Sequence, residues 1–483
     1  MRRIVLFAAL FLILFQVKAE LKLPKVFADH MVLQRGQEIP VWGEADPRQW
    51  VNVTFQGKKY RVKADKEGKW MLKMDAFPKG GPYILSINTK KESKVLENVM
   101  MGDVWLLGGQ SNMEWALKRT NNGEDSIKTA NHPNIRLFEV GRNLSLEEIE
   151  EVPEAKWSIC SPETVANFSA IGYYFARRIE TDMDVAVGLL DINWGGTLSE
   201  AWTSADALLT HPDFKERVAK NQMEGPKDFS DPDLKKPNSW PTSLFYGMLE
   251  PVIPFAIKGA LWYQGESNAS RAYQYREIFP LMIEDWRAQW GQGDFPFLWV
   301  QLANFRQPKA EPVDSDWAEL REAQTMTLSL PNTAQAVIID KGEADDIHPR
   351  DKWTVAERLA KGAKKIAYGM DVVYSGPTFK SMEIQGNQIR ISFDHIGSGL
   401  VVNDKYGYVK GFAVAGADKE FHWVTGKQDG DQIVLETGDI KNPVAVRYGW
   451  ADNPDDVNVY NKEGLPANPF RTDDWEGITY GKR

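Results

Sequence analysis

The chain has 483 residues, 43% hydrophobic and 26% charged, enough for more than one buried core. Its net charge of −9, with no long basic tract, excludes a nucleic-acid or anionic-membrane surface, since either needs clustered Lys and Arg to compensate phosphate. The single cysteine, Cys160, excludes a disulfide framework.

Residues 1–19 read as a cleavable signal peptide: Arg2-Arg3 precede an apolar run from Ile4 to Phe15, and Val17-Lys18-Ala19 offers a small-residue cleavage site. That run of twelve residues is too short to cross a bilayer, which takes about 20, and no later stretch is long enough either. No cysteine stands at the cleavage site to carry a lipid. A secreted or periplasmic protein without a membrane span is expected.

Residues 20–100 read as an N-terminal β module, sandwich-like, with Ile39-Pro-Val-Trp, Val51-Asn-Val-Thr-Phe and Tyr83-Ile-Leu-Ser-Ile separated by Gly and Pro. Lys66-Glu67-Gly68-Lys69 reads as a hairpin turn joining the strands on either side. Residues 101–370 change to strand-like runs at Val104–Leu107, Ile135–Val140, Val185–Asn193, Ala256–Tyr263, Phe297–Leu302 and Ala336–Ile339. Helical patterns at Ser169–Glu180, Arg271–Trp290, Trp317–Leu330 and Lys352–Tyr368 alternate with them. Such alternation predicts an α/β fold, a parallel sheet covered by helices. The polar, Pro-rich stretch at about 204–241 reads as an excursion or lid. Residues 371–483 return to short alternating runs between Gly-rich turns, a C-terminal β module. No repeat of solenoid period and no low-complexity tract interrupts this order.

In a parallel sheet, ligands bind beyond the carboxyl ends of the strands. Four such ends carry polar or glycine-rich sequence: Gly108-Gly-Gln-Ser-Asn112, Asn193-Trp-Gly-Gly-Thr197, Gln264-Gly-Glu-Ser-Asn268 and the segment Asp340 to His348. Ser111 sits where a strand breaks into a glycine turn and a helix start. A hydroxyl there can cap the helix by accepting from backbone N–H groups, or it can be a nucleophile lifted out of the sheet.

Of the six histidines, His30, His395 and His422 fall in the β modules, and His132 and His211 precede prolines in polar connections. His348 alone follows a strand end of the α/β region. A serine nucleophile needs a base and a group that supports the imidazolium. Asp345 lies three residues before His348 and Asp346 two before, and spacing does not choose between them; Asp340 is more distant. Oxyanion donors are expected from the Ser111 amide, the Gly195-Gly196 amides, and the side chain of Gln264 or Asn268. Gly196 serves a tight turn equally well. Glu266 is expected behind the serine loop, holding it in place.

A glycosidase built on Glu266 and Asp345 would leave Ser111 and His348 idle. There is no His-Glu-x-x-His, no second histidine near His348 and no phosphate-loop lysine, so neither a metal nor another cofactor is expected.

Eight pieces in order carry a family resemblance: Phe27-Ala-Asp-His-Met-Val-Leu-Gln-Arg35, Pro40-Val-Trp-Gly43, Gly109-Gln-Ser-Asn-Met113, Trp194-Gly-Gly-Thr197, Pro241-Thr-Ser-Leu-Phe-Tyr-Gly-Met248, Trp262-Tyr-Gln-Gly-Glu-Ser267, Leu320-Arg-Glu-Ala-Gln324 and Asp346-Ile-His-Pro349. The chain resembles the sialate O-acetylesterase family of SGNH-like esterases, close to acetylesterases acting on plant polysaccharides. The pieces run from residue 27 to 349; nothing specific matches in the C-terminal module. The resemblance implies an SGNH-hydrolase-like fold and an acetylesterase with Ser111 as nucleophile and His348 as base. The SGNH pattern selects Asp345, whereas the local family motif carries Asp346. The serine block reads Gly-Gln-Ser where the wider group has Gly-Asp-Ser, and the third block reads Gly-Glu-Ser-Asn in place of Gly-x-Asn-Asp. Both departures leave the side-chain oxyanion donor open.

The expectation is a secreted serine esterase that removes O-acetyl groups from carbohydrate through an acyl-enzyme. The partner is an acetylated carbohydrate, either sialic acid or a polysaccharide such as xylan. The alternative is a non-catalytic carbohydrate-binding protein in which Ser111 only caps. Trp115, Trp194, Trp202, Trp240 and Trp262 lie near the loops and can stack on sugar rings or fill the core. Arg306, near a strand end, is a candidate partner for a sialic acid carboxylate. Oligomeric state is not legible.

Overall fold

The computed structural model describes residues 20–226, 229–230 and 234–483; the expected signal peptide and Asp231-Pro232 lie outside them. The N-terminal strands are β1 (Val32–Gln34), β2 (Ile39–Glu44), β3 (Trp50–Phe55), β4 (Lys58–Lys63), β5 (Lys69–Met74), β6 (Gly80–Asn88) and β7 (Ser93–Gly109). Gln56 and Gly57 connect β3 to its antiparallel partner β4 with φ of 47° and 77°. Two consecutive positive φ values give the tight turn whose twist matches a hairpin. The hairpin expected at Lys66–Lys69 does not form as a ladder: β5 pairs antiparallel with β2 instead, while β4 pairs with β3. The turn carries the chain from one sheet to the other.

β7 is the long element. Up to Asn98 its side chains alternate between exposed and half-buried, and from Val99 to Gly109 every residue is buried. Alternation suits a sheet wetted on one side, and continuous burial a sheet covered on both. The first half pairs antiparallel with β6; the second half pairs parallel with β10 (Ala186–Asn193) and β11 (Gly259–Tyr263). The boundary expected after residue 100 therefore falls inside one strand. Most N-terminal strands extend the central sheet instead of forming a separate sandwich, and they share its hydrophobic core.

The central sheet also contains β8 (His132–Val140), β9 (Ala155–Cys160), β12 (Phe297–Val300) and β13 (Thr333–Ala336), in the order β13-β12-β11-β7-β10-β8-β9. Neighbours along this path are parallel except β9, which runs antiparallel to β8, so the sheet is mixed. Helices at Ala170–Met183, Ala272–Trp290, Asp316–Met326 and Lys352–Ile366 lie close to the expected spans. β7 is built first and lies in the middle. The chain then adds β8 and β10 on one side, and β11, β12 and β13 on the other. Connections that part in this way open a crevice at the carboxyl end of the central strand.

β13 ends at Ala336, where the strand was expected to begin. The apolar run that follows is divided between two cores: Ile338 joins the central one, while Val337 and Ile339 join the C-terminal one. The excursion at 204–241 contains the helices Ala205–Thr210 and Pro212–Glu224, the second started by Pro212 in its first turn.

Between Thr378 and Arg471 the chain forms a seven-stranded antiparallel sheet and shares in a two-stranded one, around a core that includes Ile391, Val414 and Leu435. Arg321 ties this module to the central sheet. Its fully buried guanidinium donates to the carbonyls of Leu302, Ala303, Ala451 and Asp452. Among the described residues no helix is long and apolar enough to cross a membrane.

Candidate active site

The serine turn is forced by its neighbours. Gly109 has φ +132°, and a Cβ on it would stand 2.2 Å from the Tyr263 carbonyl oxygen on β11. Only glycine lets the two strands approach there. Gln110 occupies the N-cap position, and Ser111 is the first residue of a short helix, Ser111–Glu114. The Ser111 hydroxyl is therefore not the cap. Its Oγ lies 2.9 Å from Nε2 of His348.

His348 belongs to the loop between β13 and the helix Lys352–Ile366, whose N-cap Asp351 accepts from the Thr354 amide. Asp346 Oδ1 accepts the His348 backbone N–H at 2.9 Å and faces Nδ1 at 3.2 Å. With Nδ1–H donating to this carboxylate, Nε2 is the lone-pair nitrogen directed at Ser111. Trp115 stacks on the imidazole, with ring centroids 4.6 Å apart and planes 14° from parallel. Burial pushes the His348 pKa down, with Lys352 and Arg119 adding to the effect and Asp346 opposing it.

Asp345, the aspartate at SGNH spacing, turns away and accepts from Gln307 Nε2 at 2.6 Å. Asp340 is held by both terminal nitrogens of Arg358. Of the three carboxylates only Asp346 bonds to the histidine.

Gly195 packs against Ser111: a Cβ on Gly195 would stand 3.2 Å from Ser111 Cβ. The Gly195 amide donates to Glu114 Oε2 at 2.8 Å, and Arg142 grips the other oxygen of that carboxylate. The backbone amides of Ser111 and Gly196 have no partner among the described residues. The side-chain donors expected from the third block are used elsewhere. Gln264 Nε2 donates to Thr197 O at 3.1 Å and to Asn268 Oδ1 at 2.6 Å, which exhausts its two hydrogens. Asn268 Nδ2 donates to Glu200 Oε2, itself fully buried and paired with Arg271. Gln264 thus braces the loops with both its N–H groups, and Asn268 with one of its two.

Glu266 does lie behind the serine loop, where its Oε1 accepts from Asn112 Nδ2 at 2.6 Å. The Asn112 amide also donates to the Ile347 carbonyl, and its Oδ1 accepts from Lys352 Nζ at 2.5 Å. Sequence reading missed Lys352, since a lysine at a helix start has the look of a solvated residue.

Ser111 and His348 open onto a cavity of about 760 Å³ that Trp115, Arg142, Glu139 and Asp191 also line. Glu139 and Asp191 are register partners on β8 and β10. Burial, then each carboxylate's acidic neighbours, pushes Glu139 up and Asp191 well above the ordinary range. Neither carboxyl was singled out from sequence; the signal was an acidic residue at the carboxyl end of each strand. Trp202 and Trp262 are fully buried core residues, and Arg306 is committed to Asp316 and Asp452. Both contacts use the same terminal nitrogen of Arg306, and the two carboxylates already balance its charge.

Residues 101–231 and 238–363 match the family model described as carbohydrate esterase, sialic acid-specific acetylesterase. The chain belongs to this acetylesterase family. The mouse sialate O-acetylesterase is 30% identical over 506 residues, spanning 92% of each chain. The human sialate O-acetylesterase is 28% identical over 487 residues, with 91% of this chain and 90% of that protein covered. Among solved structures, a carbohydrate acetylesterase from Xanthomonas citri superposes with a TM-score of 0.86 at 41% identity, over 94% of this chain and all of that one. This member of the acetylesterase family is thus a carboxylic ester hydrolase of carbohydrate acetylesterase type.

Proposed function

We propose that this esterase is a serine O-acetylesterase working through an acetyl-enzyme on Ser111. The observation that carries the reading is the 2.9 Å approach of Ser111 Oγ to His348 Nε2. His348 takes the hydroxyl proton as Oγ attacks the acetyl carbonyl, and Asp346 holds the imidazole and stabilises its cation. The unpartnered amides of Ser111 and Gly196 receive the oxyanion. On collapse of the tetrahedral intermediate, His348 returns the proton to the departing sugar hydroxyl. A water activated by the same histidine then frees acetate.

The fold reading that goes with this is SGNH-like, with the serine turn, the Gly195-Gly196 turn and the His348 loop as three of its blocks. The substrate is an O-acetylated sugar or polysaccharide, held in the cavity beside Trp115. The division at 101 and 371 stands as a functional one: chemistry between those positions, support on either side. Export follows from the leader-like residues 1–19.

The test is acetate release from p-nitrophenyl acetate, O-acetylated sialoglycan and acetylated xylan. Ser111→Ala is expected to lower kcat by about 10⁶-fold while remaining folded. Undiminished release by that variant would reject the serine mechanism, and glycan binding with no release from any substrate would favour a binding protein.

A further inference from the structure

Beneath the serine turn lies a polar arrangement that the acyl-transfer steps do not use. Lys352 is the first residue of the helix that follows the His348 loop, and it is fully buried. Its Nζ donates to Asn112 Oδ1 and sits 5.3 Å from the Tyr263 ring centroid and 5.9 Å from that of Trp115. The Asn112 carboxamide stands between two groups of opposite demand, an ammonium that needs its oxygen and the Glu266 carboxylate that needs its N–H. It cannot turn over without placing donor against donor and acceptor against acceptor. Its remaining N–H is thereby aimed at the carbonyl of Ile347, the residue before His348. One side chain next to Ser111 thus grips the backbone next to His348.

We propose that Lys352 is a positioning residue for this reaction: it locks the serine turn to the histidine loop through Asn112 and supplies positive charge behind the His348 imidazole. The inference rests on Ser111 and His348 being the acyl-transfer pair.

The surroundings support the electrostatic half. Burial lowers the Lys352 pKa to about 7, while Glu266, Asp346, Glu343 and Asp351 oppose that fall. The ammonium is therefore charged below neutrality, where the imidazole titrates. The charged groups facing His348 are Asp346 from its own loop, Lys352 from the following helix and Arg119 from the segment after the serine turn. Asp346 favours protonation, and the two cations oppose it. Glu266 Oε2 is buried with no partner among the described residues; burial raises its pKa, and its own backbone amide, Asn112 and Lys352 oppose that rise.

The experiment compares Lys352→Met, Asn112→Ala and Ser111→Ala by pH-dependent kinetics on p-nitrophenyl acetate, with thermal unfolding as the check on folding. Lys352→Met is expected to lower kcat by about 10- to 100-fold with KM little changed, because misplacing a reacting group slows chemistry more than binding. It is also expected to move the acid limb of kcat/KM to higher pH, since removing a cation lets His348 protonate sooner. Asn112→Ala breaks the grip and keeps the charge, so kcat falls while the acid limb stays. A folded Lys352→Met enzyme with wild-type kcat and an unmoved limb overturns the proposal. Should Lys352→Met fail to fold, unchanged kcat in Asn112→Ala overturns it. Activity surviving in Ser111→Ala instead overturns the serine reading.

Discussion

Asp346 meets His348 twice through one oxygen, at the backbone N–H and at Nδ1, while Asp345 points to Gln307. Neighbouring aspartates with opposite orientations make a clean comparison. Asp346→Asn is expected to lower kcat/KM by about 10²- to 10⁴-fold, because the amide disturbs the tautomer that aims Nε2 at the serine. Asp345→Asn is expected to stay within about twofold of the parent, as for a surface substitution. Steady-state kinetics on p-nitrophenyl acetate checks both; the reverse order of damage would restore the SGNH spacing.

The acid limb of activity should lie low. Burial pulls the His348 pKa below the free imidazole value of about 6.5. A general base must be neutral, so kcat/KM is expected to hold at pH 6.5 and to decline only as pH falls through the lowered pKa. The unfolded chain binds this proton at higher pH than the native one, so the same residue contributes stability that is lost as pH drops through that window. An acid limb centred above 6.5 would contradict this.

Gly109→Ala should damage the fold and the site together. The added methyl meets the Tyr263 carbonyl and the residue keeps a positive φ, so a loss of roughly 2–4 kcal/mol is expected. Urea unfolding would measure it. A stability loss under about 0.5 kcal/mol, the ordinary range for surface changes, would mean that the strands can part.

Arg321→Met takes the guanidinium N–H from the buried Leu302 and Ala451 carbonyls, while Ala303 keeps the Trp317 indole N–H and Asp452 the Phe305 amide, at an expected cost of roughly 3–5 kcal/mol. The piece Leu320-Arg-Glu-Ala-Gln324 belongs to the family pattern, and this arginine and Gln324 account for it by structure. Gln324 donates to the carbonyls of Gln264 and Val300. KM near the parent value in whatever fraction folds is the expected kinetic companion; a large KM change with full stability would place Arg321 in substrate binding instead.

The proximity of Ser111 and His348 was legible because glycines mark the turn and elimination left one histidine. The central strands were legible as continuous apolar runs. The supporting aspartate was not, since two candidates in an irregular loop differ only in how that loop turns. Gln264 looked like a donor from its place in sequence, but both its N–H groups go to Thr197 and Asn268, partners set by tertiary packing. The β2–β5 pairing was missed because long-range pairing leaves no local mark, whereas the turn at Lys66–Lys69 does. Arg306 looked free until the C-terminal module brought Asp452 to it.

The continuous strand from Ser93 to Gly109 gives the amino-terminal region a stake in the chemistry. Its pairing with β6 helps set the phase of the pleat that ends at the serine turn. A slip of one residue would rotate every side chain beyond it to the opposite face. Residues 20–100 therefore act less as an attached module than as the gauge that sets the phase of the strand leading to Ser111.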